Sequence, residues 1–348
     1  MIDNRKFKLK TLYLASALMI VPNLAFAQSQ FIIEDFVGTI HWSQSSEGVD
    51  VKVTRGEDEL NIQRSASDDV RLSGDYAKLT RIQCKGSGDN RRLSVTRRVD
   101  YKSLSDYPEL HVSIPNDVTV ILKNSVPFIY GSPDMQTFEA SSKGCGNIEV
   151  GAVASLLEAR LSGSSQFTAK NIGEGQIKIS GSSEMRIEDV EDLDLDLSGA
   201  SEFLANNVKN LKSNLSGSSD MRVSDVDGVA QVKLSGATNA HVGNVSDGLD
   251  YQGSGSSNID ILSVTGPIHI GISGASDVDI KGGVADKLKV SVSGSSSVNF
   301  GGLATNVEAK VSGASDISIS EVSGTLKQSR SGSAEINIAR YKDVTVVK

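Results

Sequence analysis

Carboxylates, serine hydroxyls and a few histidines recur in this 348-residue chain at spacings that could support chemistry. Gln166, Glu184, Glu202, Asp220, Asn239, Asn258, Asp277, Ser297, Asp316 and Glu335 each stand three residues after a glycine of one series. Stacked one strand spacing apart, the acidic members Glu184, Glu202, Asp220, Asp277, Asp316 and Glu335 would repel by about 1 kcal/mol per pair even in water. A divalent cation between them would relieve that repulsion, making this a weak cation-binding column. A solvated turn column diluted by Asn and Ser explains the same residues without an ion. Asp192, Asp194 and Asp196 alternate along one extended stretch, as in the carboxylate cluster of a polysaccharide-cleaving β-helix. The alternation also fits a solvated outward row. Four histidines, His41, His111, His241 and His269, are scattered, with no His-x-x-His or Cys-x-x-Cys spacing. The serines sit in repeats, so no single activated nucleophile stands out. The expectation is therefore no catalytic set, no metal centre and no cofactor.

What must position these side chains is a repeat. Ser-Gly-[Ser/Ala]-[Ser/Thr] recurs with glycines at Gly163, Gly181, Gly199, Gly217, Gly236, Gly255, Gly274, Gly294, Gly313 and Gly332, the last with Ala334 in the fourth place. The steps are 18, 18, 18, 19, 19, 19, 20, 19 and 19 residues. A period near 20 held this long means stacked identical units. Within a unit, residues alternate in period two: Leu288, Val290, Val292, Gly294, Ser296, Val298 and Phe300 share one phase. A further apolar residue follows about nine positions after most of the glycines, at Ile172, Val190, Val208, Val226, Val245, Val264, Leu303 and Val322. Each unit thus reads as two or three short strands wound once around an apolar interior. The glycine and the small residue two places later are expected to point inwards at a bend. The serine before each glycine reads as a hydroxyl ladder bonding successive coils, or as a sugar- or ice-facing row.

Weaker copies around Gly144 and Asn124 bring the total to about twelve coils of 18–20 residues, a stack of about 55 Å. The fold class is all-β, a parallel β-helix or solenoid over residues 116–348. Residues 28–115 read as a small β-rich N-terminal module, with strands at Phe31–Trp42, Val49–Thr54, Leu60–Arg64, Leu79–Cys84, Leu93–Val99 and Leu110–Ile114, expected to cap the stack. The other end is expected to be closed by Gln328 and Arg330, polar residues in inward phase, and by a tail strand carrying Lys342 and Lys348.

Residues 1–27 read as a signal peptide. Arg5, Lys6, Lys8 and Lys10 precede an apolar run from Leu12 to Val21, and Ala25-Phe26-Ala27 is a small-x-small cleavage site. Removing that segment takes away four basic residues and one acidic one, so the formal charge moves from −8 to −11. Such a chain is a poor non-specific partner for nucleic acid or anionic lipid. No later stretch is apolar enough for a membrane span. Cys84 and Cys145 would reside in an oxidising compartment, either bridged or as two separate thiols. The basic stretch Arg91-Arg92 and Arg97-Arg98 could dock phosphate or the acidic stack, or simply be solvated.

With these residues in view, the chain resembles the bacterial family described as putative auto-transporter adhesin, head GIN domain. The resemblance rests on Phe36-Val37-Gly38-Thr39-Ile40, on Leu110-His111-Val112-Ser113-Ile114-Pro115 and on the serial Ser-Gly-[Ser/Ala]-[Ser/Thr]-[Asp/Glu/Asn] repeats. It implies a non-enzymatic β-solenoid of the periplasm or cell surface that binds a cell-envelope component, a glycan or another copy of itself. The alternatives are a polysaccharide-acting enzyme and an envelope assembly factor with no adhesive role. No separate membrane-barrel segment is visible in 28–348, so export through the leader alone is the simpler route. Ligand recognition is expected to fall to the variable positions between the repeated tetrapeptides.

Overall fold

One repeat makes one coil. Between the coils that begin at Gly163 and Gly181, parallel pairing runs over 166–169, 171–172 and 174–179, with breaks at the corners. Phe167, Ala169, Ile172, Ile177 and Ile179 are buried, so the inward phase holds within each run and slips at each corner. Stacking these coils yields one continuous apolar core from Phe31 to Leu326. The computed structural model describes residues 29–76, 79, 82–86, 90–95 and 99–347. The expected leader, Arg97-Arg98 and Lys348 lie outside them. Among the described residues helical structure is confined to short 3-10 turns, such as Glu57–Glu59 and Leu104–Asp106, with no α-helix. The parallel β-solenoid of about twelve turns read from the repeat is the observed architecture.

The repeated tetrapeptide is a corner, as expected, but its glycine points outwards. Gly163 to Gly332 are exposed, with φ between 75° and 98°. A Cβ on Gly217 would lie 2.6 Å from the carbonyl oxygen of Gly199 on the preceding coil, and the same approach recurs along the column. The glycine is required by the left-handed backbone and by the neighbouring backbone, and not by a crowded interior. Only the small residue two places on is inward: Ser165, Ser183, Ser201, Ser219, Thr238, Ser257, Ser276, Ser296 and Ser315 are buried. Most of these hydroxyls bond back across the bend, Ser201 Oγ to Ser198 O at 2.8 Å for example. Leu303 departs from its expected inward place. An irregularity in its own coil, after Phe300, shifts the register, so that Ala304 fills the inward position in line with Ala285 and Val322.

The N-terminal residues continue the stack as well as closing it. Strands β1 (Gln30–Glu34) and β2 (Val37–Gln44) form a coil of their own, paired in parallel with the strand Thr119–Tyr130. The single strand expected at Phe31–Trp42 is broken by a corner at Asp35 (φ 54°), beside Asn124 (φ 45°) of the next coil. Asp and Asn tolerate this conformation better than other non-glycine residues. After β3 (Asp50–Arg55), β4 (Leu60–Arg64) runs antiparallel along the outer edge of β5 (Val70–Gly74). A separate small sheet follows, made of β6 (Gln83–Lys85), β7 (Arg92–Ser94) and β8 (Lys102–Ser103). Then β9 (Glu109–Ile114) pairs in parallel with β2 and antiparallel with β3, while β5 pairs in parallel with β1. The end layer β5/β9 is thus covered by strands that run against it, which stops further parallel stacking.

The small sheet packs on the side of the first coils through a second apolar cluster of Leu79, Leu93, Val95, Tyr107, Val37, Val126 and Phe128. A disulfide joins Cys84 to Cys145, with Cα atoms 6.4 Å apart. Cys145 occupies the corner place directly after Gly144, where later coils carry an exposed Ser or Ala. At the far end the strand Glu335–Val347 pairs with residues 316–327. It stops short of Gln328 and Arg330, which stand exposed over Ala309 and Val311.

Candidate functional site

The strand run before each corner builds a long concave surface. Its outward residues are stacked in register from coil to coil, for example Asn214, Lys233, Gln252, Gly271 and Ser291. Small residues at Gly271, Ser291 and Ser329 leave room between longer neighbours. The result is an open groove of about 1240 Å³ that runs from Asp196 to Ser331. Eight successive coils contribute to it, a length of roughly 35 Å at the spacing of strand layers. Its rim and floor carry Lys233, Asp250, Gln252, His269, Lys289 and Lys310 beside the serine column from Ser198 to Ser331. Those serines serve the stack first: Ser198 Oγ donates to Ile179 O at 3.3 Å and Ser235 Oγ to Leu215 O at 3.2 Å. Their lone pairs remain available to a donor in the groove.

Most carboxylates of the acidic columns have a hydrogen-bond or ion-pair partner on their own or the next coil. Asp192 accepts from Asn210 Nδ2 at 2.7 Å, Asp194 from Lys212 Nζ at 2.6 Å and Asp196 from Asn214 Nδ2 at 3.0 Å. The Asp194 carboxylate raises the Lys212 ammonium above the usual lysine range. Each aspartate thus faces an amide or ammonium on the next coil, and the three do not converge on one point. The column three residues after each glycine behaves alike. Glu184 pairs with Arg186 and Glu202 with Arg222, while Asp220 accepts from Asn239 Nδ2 at 3.0 Å and Asp277 from Ser297 Oγ at 2.5 Å. Asp316 and Glu335 stand in register at the far end of the same column.

Parallel pairing assembles a cluster that its spacing in the chain concealed. His41 on β2 stands in register with His111 on β9 and with Tyr130 on the other side. The His41 ring stacks on His111 with centroids 4.9 Å apart and on Tyr130 at 5.9 Å. Two residues before His111 on the same outward face, Glu109 places Oε1 3.0 Å from His41 Nε2. Its other oxygen lies 2.7 Å from Arg55 Nη1. Among the described residues this is the one group of three His, Cys, Asp or Glu whose donor atoms converge, all within 4.8 Å of one another. No member of the acidic columns belongs to it. His241 stands between Arg222 and Asp260, whose Oδ2 is 3.2 Å from Nδ1, and His269 lies in the groove.

The basic residues of the N-terminal part hold the small sheet in place. Arg91 lies over the Phe128 ring at 5.0 Å and donates to Cys145 O at 3.2 Å; Arg92 donates to Tyr101 O at 2.7 Å. No helix among the described residues is long and apolar enough to cross a membrane. A family model described as putative auto-transporter adhesin, head GIN domain, matches residues 47–226. It covers the inserted strands β3 to β9 and the first coils of the repeat. No curated protein and no solved structure matches the chain.

Proposed function

This chain belongs to the head GIN domain family, and from that premise we propose that it is an exported, non-enzymatic, adhesin-like β-solenoid that binds an extended glycan of the cell envelope. The groove from Asp196 to Ser331 carries the reading. It is long, open and lined by hydroxyls, amides and charges of both signs, and it repeats at the strand spacing. Such a surface offers many weak polar contacts to a polyhydroxylated chain lying along the stack. Affinity would then come from the number of coils engaged, as in other multivalent contacts. The pairing of Asp192, Asp194 and Asp196 with the next coil supports a binding role over hydrolysis, since a glycosidase needs two carboxylates flanking one bond.

The test is a glycan array and a whole-cell pull-down with purified protein, repeated on a variant carrying Lys233→Glu, Gln252→Ala and Lys310→Glu. Binding that falls at least about tenfold in the variant is expected. Wild-type protein that retains neither glycans nor cells sinks the adhesive reading. Release of oligosaccharides from uronate-containing polymers would establish the enzymatic alternative instead.

A further inference from the structure

We propose that His41, His111 and Glu109 bind a borderline transition-metal dication of the Zn²⁺, Ni²⁺ or Cu²⁺ class at the capped end of the stack. Two imidazoles and one carboxylate form an N₂O donor set, which suits these ions and not Ca²⁺ or Mg²⁺. The backbone delivers them together. Parallel register fixes His41 beside His111 on adjacent layers, and Glu109 shares the outward face of β9 with His111.

The donor atoms lie within 4.8 Å of one another. A tetrahedral ion at about 2.0–2.1 Å from each ligand needs them closer, roughly 3.3 Å apart. Partly exposed side chains can make that adjustment by torsion alone. Some of the preorganisation is already built. The His41 ring lies stacked between His111 and Tyr130, so one imidazole must tilt out of the stack for both to aim a nitrogen at one ion. Glu109 is oriented by Arg55, whose Nε donates to Tyr107 O at 2.9 Å. This outer partner occupies one carboxylate oxygen and leaves the other facing His41, the arrangement that outer-shell groups commonly impose on a ligand.

Binding replaces the hydrogen bond between His41 Nε2 and Glu109 Oε1 with one bond from each atom to the ion, the Nε2 proton passing to Nδ1 through solvent. Both imidazoles must be neutral to donate, so acidification weakens the complex. Arg55, and Lys52 opposite His111 on β3, add positive charge nearby. Solvent at the site screens that charge. Three protein ligands leave the fourth tetrahedral position open to water or to a donor from a partner.

The experiment is calorimetric titration of the tag-free chain with Zn²⁺, together with Cu²⁺ electron paramagnetic resonance on the same variants. One ion per chain is expected. His41→Ala and His111→Ala should each weaken binding at least about tenfold, and His241→Ala should leave it unchanged. The Cu²⁺ spectrum should show coupling to two nitrogens, falling to one in His111→Ala. His111 is exposed, so the metal-free melting temperature of His111→Ala should match that of the parent. The proposal is overturned by the absence of saturable binding, by binding that survives loss of both histidines, or by binding that follows His241 instead.

Discussion

Gly253 is the space that Tyr251 fills: a Cβ at residue 253 would stand 2.4 Å from the Tyr251 hydroxyl oxygen and 2.9 Å from Cζ. In register, the coils on either side carry Val232 and Leu234, and Ile270 and Ile272. One coil has therefore exchanged two medium side chains for one large and one absent. Gly253→Ala alone should destabilise the protein by about 1–3 kcal/mol through overpacking. The double change Tyr251→Val with Gly253→Leu restores the usual filling and should recover most of that loss. Urea unfolding of the three proteins measures it; a double variant no better than Gly253→Ala would refute the complementarity.

The buried phenols set an alkaline limit. Burial pushes Tyr251 up to about 12, with the Ser257 hydroxyl opposing the shift without making a well-formed hydrogen bond to it. Burial, with the nearby Asp100, also takes Tyr107 to about 12. Burial and Glu59, to which Tyr76 Oη donates at 3.2 Å, raise Tyr76 above the ordinary phenol range. A raised folded-state value means the unfolded chain loses its proton first. The stability these groups confer is thus complete below pH 10 and is lost between about pH 10 and pH 12. Urea midpoints should fall across that window, and tyrosinate absorbance should rise in step with unfolding. Tyr251→Phe should flatten the fall.

A corner glycine and a strand glycine should respond in opposite ways to the same substitution. Gly217 has φ 79°, and its Cβ would meet the Gly199 carbonyl at 2.6 Å. Gly217→Ala should therefore cost about 1–3 kcal/mol, from strain in the left-handed conformation and from the backbone approach. Gly271 lies in a strand, and a Cβ added there would meet nothing within 4 Å. Gly271→Ala should leave stability unchanged or raise it by about 0.4–1 kcal/mol, because the unfolded chain loses freedom. Equal melting temperatures for the two variants would contradict this account of the corner.

The disulfide closes a span of 61 residues that contains β7, β8, β9 and the strand Thr119–Tyr130. Chain entropy gives such a closure about 4 kcal/mol. The Cys84→Ser, Cys145→Ser protein should lose up to that amount at the N-terminal end. Hydrogen exchange should quicken in β6 to β8, where the small sheet docks by one apolar cluster, while coils beyond Gly199 keep their protection. Uniform loss of protection along the stack would show that the ends are coupled more strongly than nearest-neighbour coils imply.

Coil number, inward alternation and corner positions were all legible because each is a local pattern repeated many times. Ile177, Ile179, Met185 and Ile187 declare their phase within a few residues, and the next coil repeats the statement. The direction of the corner glycines was not legible. Period-two counting carries Gly294 into the inward phase of Val290 and Val292, but a left-handed residue turns the chain and breaks that count. Only the stacked neighbour, the Gly274 carbonyl 2.4 Å from a Cβ at 294, reveals the reason for glycine.

The amino-acid sequence by itself determined the solenoid, since a short period of apolar alternation can be buried only by stacking one coil on the next. Tertiary structure alone decided where chemistry gathers. His41 and His111 are 70 residues apart and become neighbours because the chain passes through β3 to β8 before β9 returns to pair with β2. No local spacing encodes that return; it follows from which strand edge remained free to pair.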